Sequence, residues 1–216
     1  MEKEVFGKAF LDSLNKNFQT RSKYFDFNFY VFSELGGTIF EINKCLILEF
    51  HRASITLTNN LLERLLKLSL IYEEVGIGAK PVDTWSSTFE EPNKKFSVIS
   101  LGSSIERCKK LNLITEHEKV FLFDTIREVM RNGFSHADST KVLTDIPDEI
   151  NLFQSSFENP KEIKQLAVNQ KAIPFIQSMH IEAFAKENAS NYFDYVFELI
   201  KKIDQRLIER DSRISI

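Results

Sequence analysis

The sequence predicts an all-α fold, a helical bundle with a loop insertion around residues 76–96. Three observations carry this. Apolar residues recur at the three- and four-residue spacing of amphipathic helices over most of the chain. Helix signals bracket those runs, with a Thr115–Glu118 capping box at one start and Gly76 and Gly133 at two stops. The composition, 43% hydrophobic and 27% charged with only 7 Gly and 5 Pro, is that of a compact soluble protein. A length of 216 residues suits a single domain with a full core. Twenty Phe make that core aromatic-rich.

In chain order, residues 2 to 18 place Val5, Ala9, Phe10, Leu14 and Phe18 at helical spacing. In YFDFNFYVF, Tyr24 to Phe32, the residues Phe25, Phe27, Phe29 and Val31 alternate with Asp26 and Asn28 as in a strand, although a buried helix start reads the same way. Residues 38 to 75 carry an almost unbroken helical pattern, with Leu61, Leu65, Leu68 and Ile71 or Tyr72 on one face. Residues 76 to 96 gather Gly, Pro and Ser and read as a long loop, which Trp85 is expected to anchor to the core. A short helix follows near 99 to 111. After the capping box, Val120, Phe121, Ile126 and Met130 continue a helix that Asn132–Gly133 closes. Residues 144 to 160 read as an acidic connector. A helix near 161 to 168 and a longer one over 190 to 210 complete the chain, the latter with Tyr192, Val196, Leu199, Ile200, Ile203 and Leu207 on its apolar face. No internal repeat is evident.

The net charge of −3 gives no global attraction for nucleic acid, so any grip on it must be local. The doublets Lys94/Lys95, Lys109/Lys110 and Lys201/Lys202 read first as solvated helix faces. Cys45 and Cys108 lie far apart in helical segments and read as reduced thiols, not as a disulfide or metal knuckle. The first residues, MEKEVFGKAFLDSLNKNF, have no apolar signal region, and no run approaches the roughly 18 apolar residues of a membrane span. The expectation is a cytoplasmic protein without membrane association.

One short stretch carries chemistry: MRNGFSH, Met130 to His136. Arg127 and Arg131 are four apart and share a helix face. Residues five apart in an unbroken α-helix diverge, but a turn at Gly133 could bring His136 back beside Arg131. A permanent cation would then stand next to a titratable imidazole, the pairing that acts on a phosphodiester. Arg holds the non-bridging oxygens and stabilises charge growing in the transition state, while His moves the proton. An Arg upstream of a His is common by chance. An Asn directly after the Arg, at the end of a capped amphipathic helix, is much rarer. His51, His117 and His180 have no such companions and read as surface or helix-end residues.

RNGFSH resembles the Arg-Asn-x3-His form of the Arg-x4-6-His signature of the HEPN superfamily, small all-α domains found as ribonuclease toxins and phage-defence effectors. The helix LLERLLKLSL, with Glu63 and Lys67 on a leucine-rich surface, is similar to the helix preceding the motif helix in that superfamily. The resemblance covers residues 38 to 140, within a single domain 1–216 with helical extensions at both ends. It implies that Arg131 and His136 are catalytic with Asn132 in support, and that two protomers pair their motifs across a homodimer interface. Arg127, on the same helix face as Arg131, is expected to bind substrate. In one toxin subgroup a Tyr two residues after the His is modified by the antitoxin. Here that position is Asp138, which puts that mode of neutralisation in doubt.

Other enzyme classes have little footing, since the chain has no Gly-rich phosphate loop, no GxSxG, no HExxH and no Cys/His cluster with metal spacing. The expected function is a metal-independent, cofactor-free endoribonuclease, a toxin or abortive-infection effector with an RNA substrate, restrained by an antitoxin or sensor protein. The alternative is a non-catalytic module of the same ancestry binding a protein or nucleotide partner.

Overall fold

The computed structural model describes residues 2–132, 134, 143, 146–155, 159 and 161–214. Within them the chain is all-α, with seven α-helices and one small β-hairpin. The helices are α1 (Lys3–Arg21), α2 (Gly36–Ile47), α3 (His51–Val75), α4 (Trp85–Ser97), α5 (Leu101–Lys110), α6 (Glu116–Phe121) and α7 (Pro174–Ile214). A π-helical segment, Leu122–Asn132, continues α6 directly. Among the described residues, no helix is long and apolar enough to cross a membrane.

The core forms around α3. Its face of Ile55, Leu61, Leu62, Leu65, Leu66 and Leu70 is fully buried, and α7 lies against it with Ala185, Ala189, Phe193, Val196, Ile200 and Ile203. Ile39, Ile42 and Leu46 of α2, Leu101, Ile105 and Cys108 of α5, and Leu122, Ile126 and Met130 of the π segment close the remaining sides. Each row recurs at three or four residues, so a single helical face delivers it to the centre.

Several boundaries differ from the sequence expectation. The pattern over 38 to 75 is two helices, parted at Leu48–Phe50, where Glu49 takes a left-handed φ of 62°. The Glu49 carboxylate accepts bonds from Lys16 at 2.6 Å and Asn17 at 3.4 Å, tying the break to α1. Residues 24 to 32 form no strand. Tyr24, Phe29 and Val31 are nevertheless buried, and the N–H groups a strand partner would take are held by the Asp204 carboxylate, from Val31 at 2.7 Å and Tyr30 at 3.2 Å.

The loop at 76 is shorter than expected, because Trp85–Ser97 is helical despite Pro92 within it. Pro92 removes one backbone donor, yet the helix persists because Phe96, 4% exposed, and Phe89 pack onto the core. Trp85 does not reach the core. It is 52% exposed and its indole N–H donates to the Lys80 carbonyl at 3.0 Å, pinning the loop to itself. The connector and short helix expected between 144 and 168 contain instead the hairpin β1 (Glu149–Gln154) and β2 (Lys164–Asn169), antiparallel with Ile150 opposite Val168 and Leu152 opposite Leu166. Gln170 roots it, donating to the Pro147 carbonyl at 2.7 Å and meeting His180 at 2.9 Å. The final helix starts at Pro174, sixteen residues before the expected 190.

The capping box is present in full: Glu118 N–H donates to the Thr115 hydroxyl at 3.2 Å and Thr115 N–H to the Glu118 carboxylate at 2.8 Å. Glu118 has a second role. It is 5% exposed and accepts both Arg206 guanidinium nitrogens at 2.8 and 3.1 Å, with Lys202 at 3.5 Å. Burial alone would raise its pKa, but the Arg206 hydrogen bonds, the Thr115 N–H and the two cations outweigh burial and hold it at about 2. A depressed carboxylate stabilises the fold fully above its unfolded pKa near 4.5, and the contribution fades as pH falls towards 2. Its size is about 3 kcal/mol. Glu118→Gln is therefore expected to lower the urea midpoint at pH 7 and to lie much closer to the parent at pH 3. A gap that does not change with pH would show that the ion pair does not govern acid stability.

Candidate active site

The predicted stretch lies where the π segment ends. Its eleven residues use i→i+5 hydrogen bonding, a form usually confined to single turns and frequent at functional sites. In this wider winding, residues four and five apart run along one face. Leu122, Ile126 and Met130 keep to the core side, each no more than 6% exposed.

Two apolar residues of the stretch are anchored. The Met130 carbonyl accepts the Asn59 side-chain amide at 3.0 Å, and Asn59 Oδ1 in turn accepts the Tyr192 hydroxyl at 2.8 Å. This buried relay joins α3, α7 and the π segment at the residue preceding Arg131. Burial pushes the Tyr192 phenol well above its ordinary range, so it serves as a neutral donor. Phe134 packs on Phe184 of α7, with ring centroids 5.6 Å apart. Among the polar residues, Arg127 lays its guanidinium over the Phe123 ring at 3.9 Å, a cation–π contact within one helical turn. Gly102 of α5 makes room for it, since a Cβ there would lie 3.1 Å from Arg127 Nη1.

The side chains of Arg131 and Asn132, and all of Gly133, His136 and Asp138, lie outside the described residues. The backbone of Arg131 and Asn132 belongs to the π segment.

Sequence reasoning missed Asn59 and Phe184, and read Tyr192 only as part of the apolar face of the last helix. For Asn59 a signal existed. It falls in phase with the buried Ile55, Leu62 and Leu66, and an amide at a core position must find partners. Phe134 and Phe184, fifty residues apart, gave none.

The other histidines take ordinary places. His51 opens α3, with burial lowering its pKa, His117 stands in the first turn of α6, and His180 meets Gln170. The lysine doublets are largely neutralised, through Lys94–Glu90, Lys95–Glu74, Lys109–Glu116, Lys201–Glu198 and Lys202–Glu118. They are ion-paired helix surfaces, as first read. Cys45 and Cys108 are free thiols. Among the described residues, no three His, Cys, Asp or Glu side chains gather as a metal site. Comparison with family models, with curated proteins and with solved structures finds no match for this chain.

Proposed function

We propose that the chain is a metal-independent endoribonuclease of the HEPN kind, acting through Arg131 and His136 with Asn132 in support. The observation that carries the reading is the anchoring of the Arg131 segment. The residue before Arg131 is held from behind by a buried Tyr192–Asn59 relay, and the backbone there has the π winding that functional sites favour. A catalytic side chain needs such support, because a loosely held one loses most of its rate advantage.

The chemistry follows from the residue types. His136 takes the proton of the substrate's 2′-hydroxyl, whose oxygen attacks the adjacent phosphorus as the P–O5′ bond breaks. The leaving 5′-oxygen takes a proton from the histidine of the second motif. Arg131 stabilises the charge of the crowded phosphorane, and Arg127 helps hold the strand. The products are a 2′,3′-cyclic phosphate and a 5′-hydroxyl. One Arg and one His form only part of an acid, base and anion-stabilising set, so we place two motifs face to face in a homodimer. In a cell such an activity would serve as a toxin or phage-defence effector held in check by an antitoxin or sensor.

Purified protein incubated with single-stranded RNA in excess EDTA is expected to cut it, leaving cyclic phosphate ends, to spare DNA, and to run as a dimer in light scattering. Inhibition by EDTA, or 5′-phosphate products, would rule the mechanism out. The alternative, a non-catalytic module binding a protein, draws on a separate observation. The hairpin leaves Ile150, Leu152 and Leu166 uncovered, each about two-fifths exposed.

A further inference from the structure

Gly7 sits in the interior of α1 with nothing in its own chain that calls for a glycine. Inside a helix a glycine costs stability relative to alanine. Yet a Cβ at this position would meet nothing within 4 Å, and the φ of Gly7 is not positive. What the glycine leaves is an open recess on the outside of the helix.

The recess lies on an apolar stripe. Gly7, Leu11, Leu14 and Phe18 follow at intervals of four, three and four residues, the 3.5-residue period of a helix seam. The body of the protein does not cover them, because α1 turns another face inward. Phe10 meets Phe50 at 5.9 Å between centroids, Asn17 donates to the Ile47 carbonyl at 3.0 Å, and Arg21 is buried. Leu11, Leu14 and Phe18 are left 58, 36 and 45% exposed. The surface continues beyond the helix, since Phe18 stacks on Phe25, and Phe25 meets Phe40, itself about half exposed, at 5.1 Å. A continuous apolar surface of this kind marks an interface.

The stripe also identifies its occupant, because it is complementary to itself. Turned antiparallel about a two-fold axis midway between Asp12 and Ser13, it sets Leu11 against the partner's Leu14, and Phe18 against the partner's Gly7. The largest side chain then enters the recess left by the smallest. A parallel pair would lay glycine over glycine and phenylalanine over phenylalanine, with a void at one end and a clash at the other. The charges agree with the antiparallel pair. On the flank away from the body, Lys8 faces the partner's Asn15 and Glu4 faces the partner's Gln19, so no like charges meet.

We propose that α1 is a self-association surface, on which a second copy of this chain lays its own α1 antiparallel along Gly7, Leu11, Leu14 and Phe18. An isologous contact of this kind closes at two copies. It uses no residue of the 127–136 stretch, so it stands whether or not the chain cuts RNA. An unrelated apolar partner would cover the leucines, but it would not require a recess and a ring placed symmetrically about one midpoint.

The test is the mass of the full-length protein by light scattering at micromolar concentration. The parent is expected at twice the 25.1 kDa of the chain. Leu11→Asp puts an unpaired carboxylate into the seam twice by symmetry and is expected to weaken association about a hundredfold, leaving single chains. Gly7→Leu favours the helix and meets nothing in its own chain, but it fills the recess, so it is expected to weaken association about tenfold. Val5→Asp, on the far side of α1 and exposed, is expected to leave the mass unchanged. Circular dichroism confirms that each variant is folded. A parent that runs as a single chain would overturn the proposal. So would folded Leu11→Asp or Gly7→Leu protein with parental association, which would put the contact elsewhere, or an equal loss in Val5→Asp. The ribonuclease reading fails separately, if the parent does not cut RNA, because the mass measurement requires no cleavage.

Discussion

His136→Ala is expected to reduce RNA cleavage by about 10² to 10⁴-fold, the range for a lost general base or acid. Arg131→Ala should cost about 10² to 10³-fold, as for a lost stabiliser of transition-state charge. The double variant should be little worse than the poorer single one, because the two residues serve one transition state and their effects do not add. Neither should alter the far-ultraviolet circular dichroism or the melting temperature appreciably, since the proposed work of both side chains is on the phosphate and not in the core. The rate of the parent should fall in acid, as the imidazole that must accept a proton becomes protonated. Loss of fold in either variant would make these residues structural, and full activity in His136→Ala would remove the proposed base altogether.

Phe193→Ala should produce the largest loss of stability. Phe193 is fully buried on α7, with its ring 5.2 Å from Tyr24 and 6.0 Å from Phe197, and the Arg21 guanidinium 5.2 Å from its centroid. Arg21 is itself buried and bonded to Asp194 at 2.9 Å and Asn43 at 3.1 Å, so the surroundings cannot easily collapse into the space left. The expected cost is about 3–5 kcal/mol. For a chain of this length that is a fall in melting temperature of about 6–20 °C. Phe193→Leu should lose much less. A calorimetric loss below about 1 kcal/mol for the alanine variant would mean that this cluster is not close-packed.

What the sequence made legible was whatever side-chain periodicity alone decides. The leucine face of α3, the apolar face of the last helix and the Thr115–Glu118 cap were all readable, because burial imposes a repeat and a cap imposes a residue type. Backbone choices left weaker traces. The left-handed Glu49, the passage of α4 through Pro92 and the π winding of 122–132 depend on where N–H groups find acceptors, and contacts distant in sequence decide that. The hairpin was unreadable for a different reason: its residues are almost all exposed, so no burial pattern was imposed on EINLFQ or KQLAVN. At the candidate site, Arg127, Arg131, Asn132 and His136 stood out by residue type and spacing in the sequence alone. The anchor at the Met130 carbonyl, Asn59 with Tyr192, joins positions 133 residues apart.

The pairing of α3 with α7 also sets the order in which the molecule can form. During synthesis α3 is complete about a hundred residues before the start of α7 has been made, and until then the apolar side of α3 that meets α7 lacks that partner. Contacts this distant in sequence are slow to form and leave apolar surface open to association in the meantime. The Asn59–Tyr192 bond can close only at the end of that wait, so the support at Met130 forms long after α3 itself has been made.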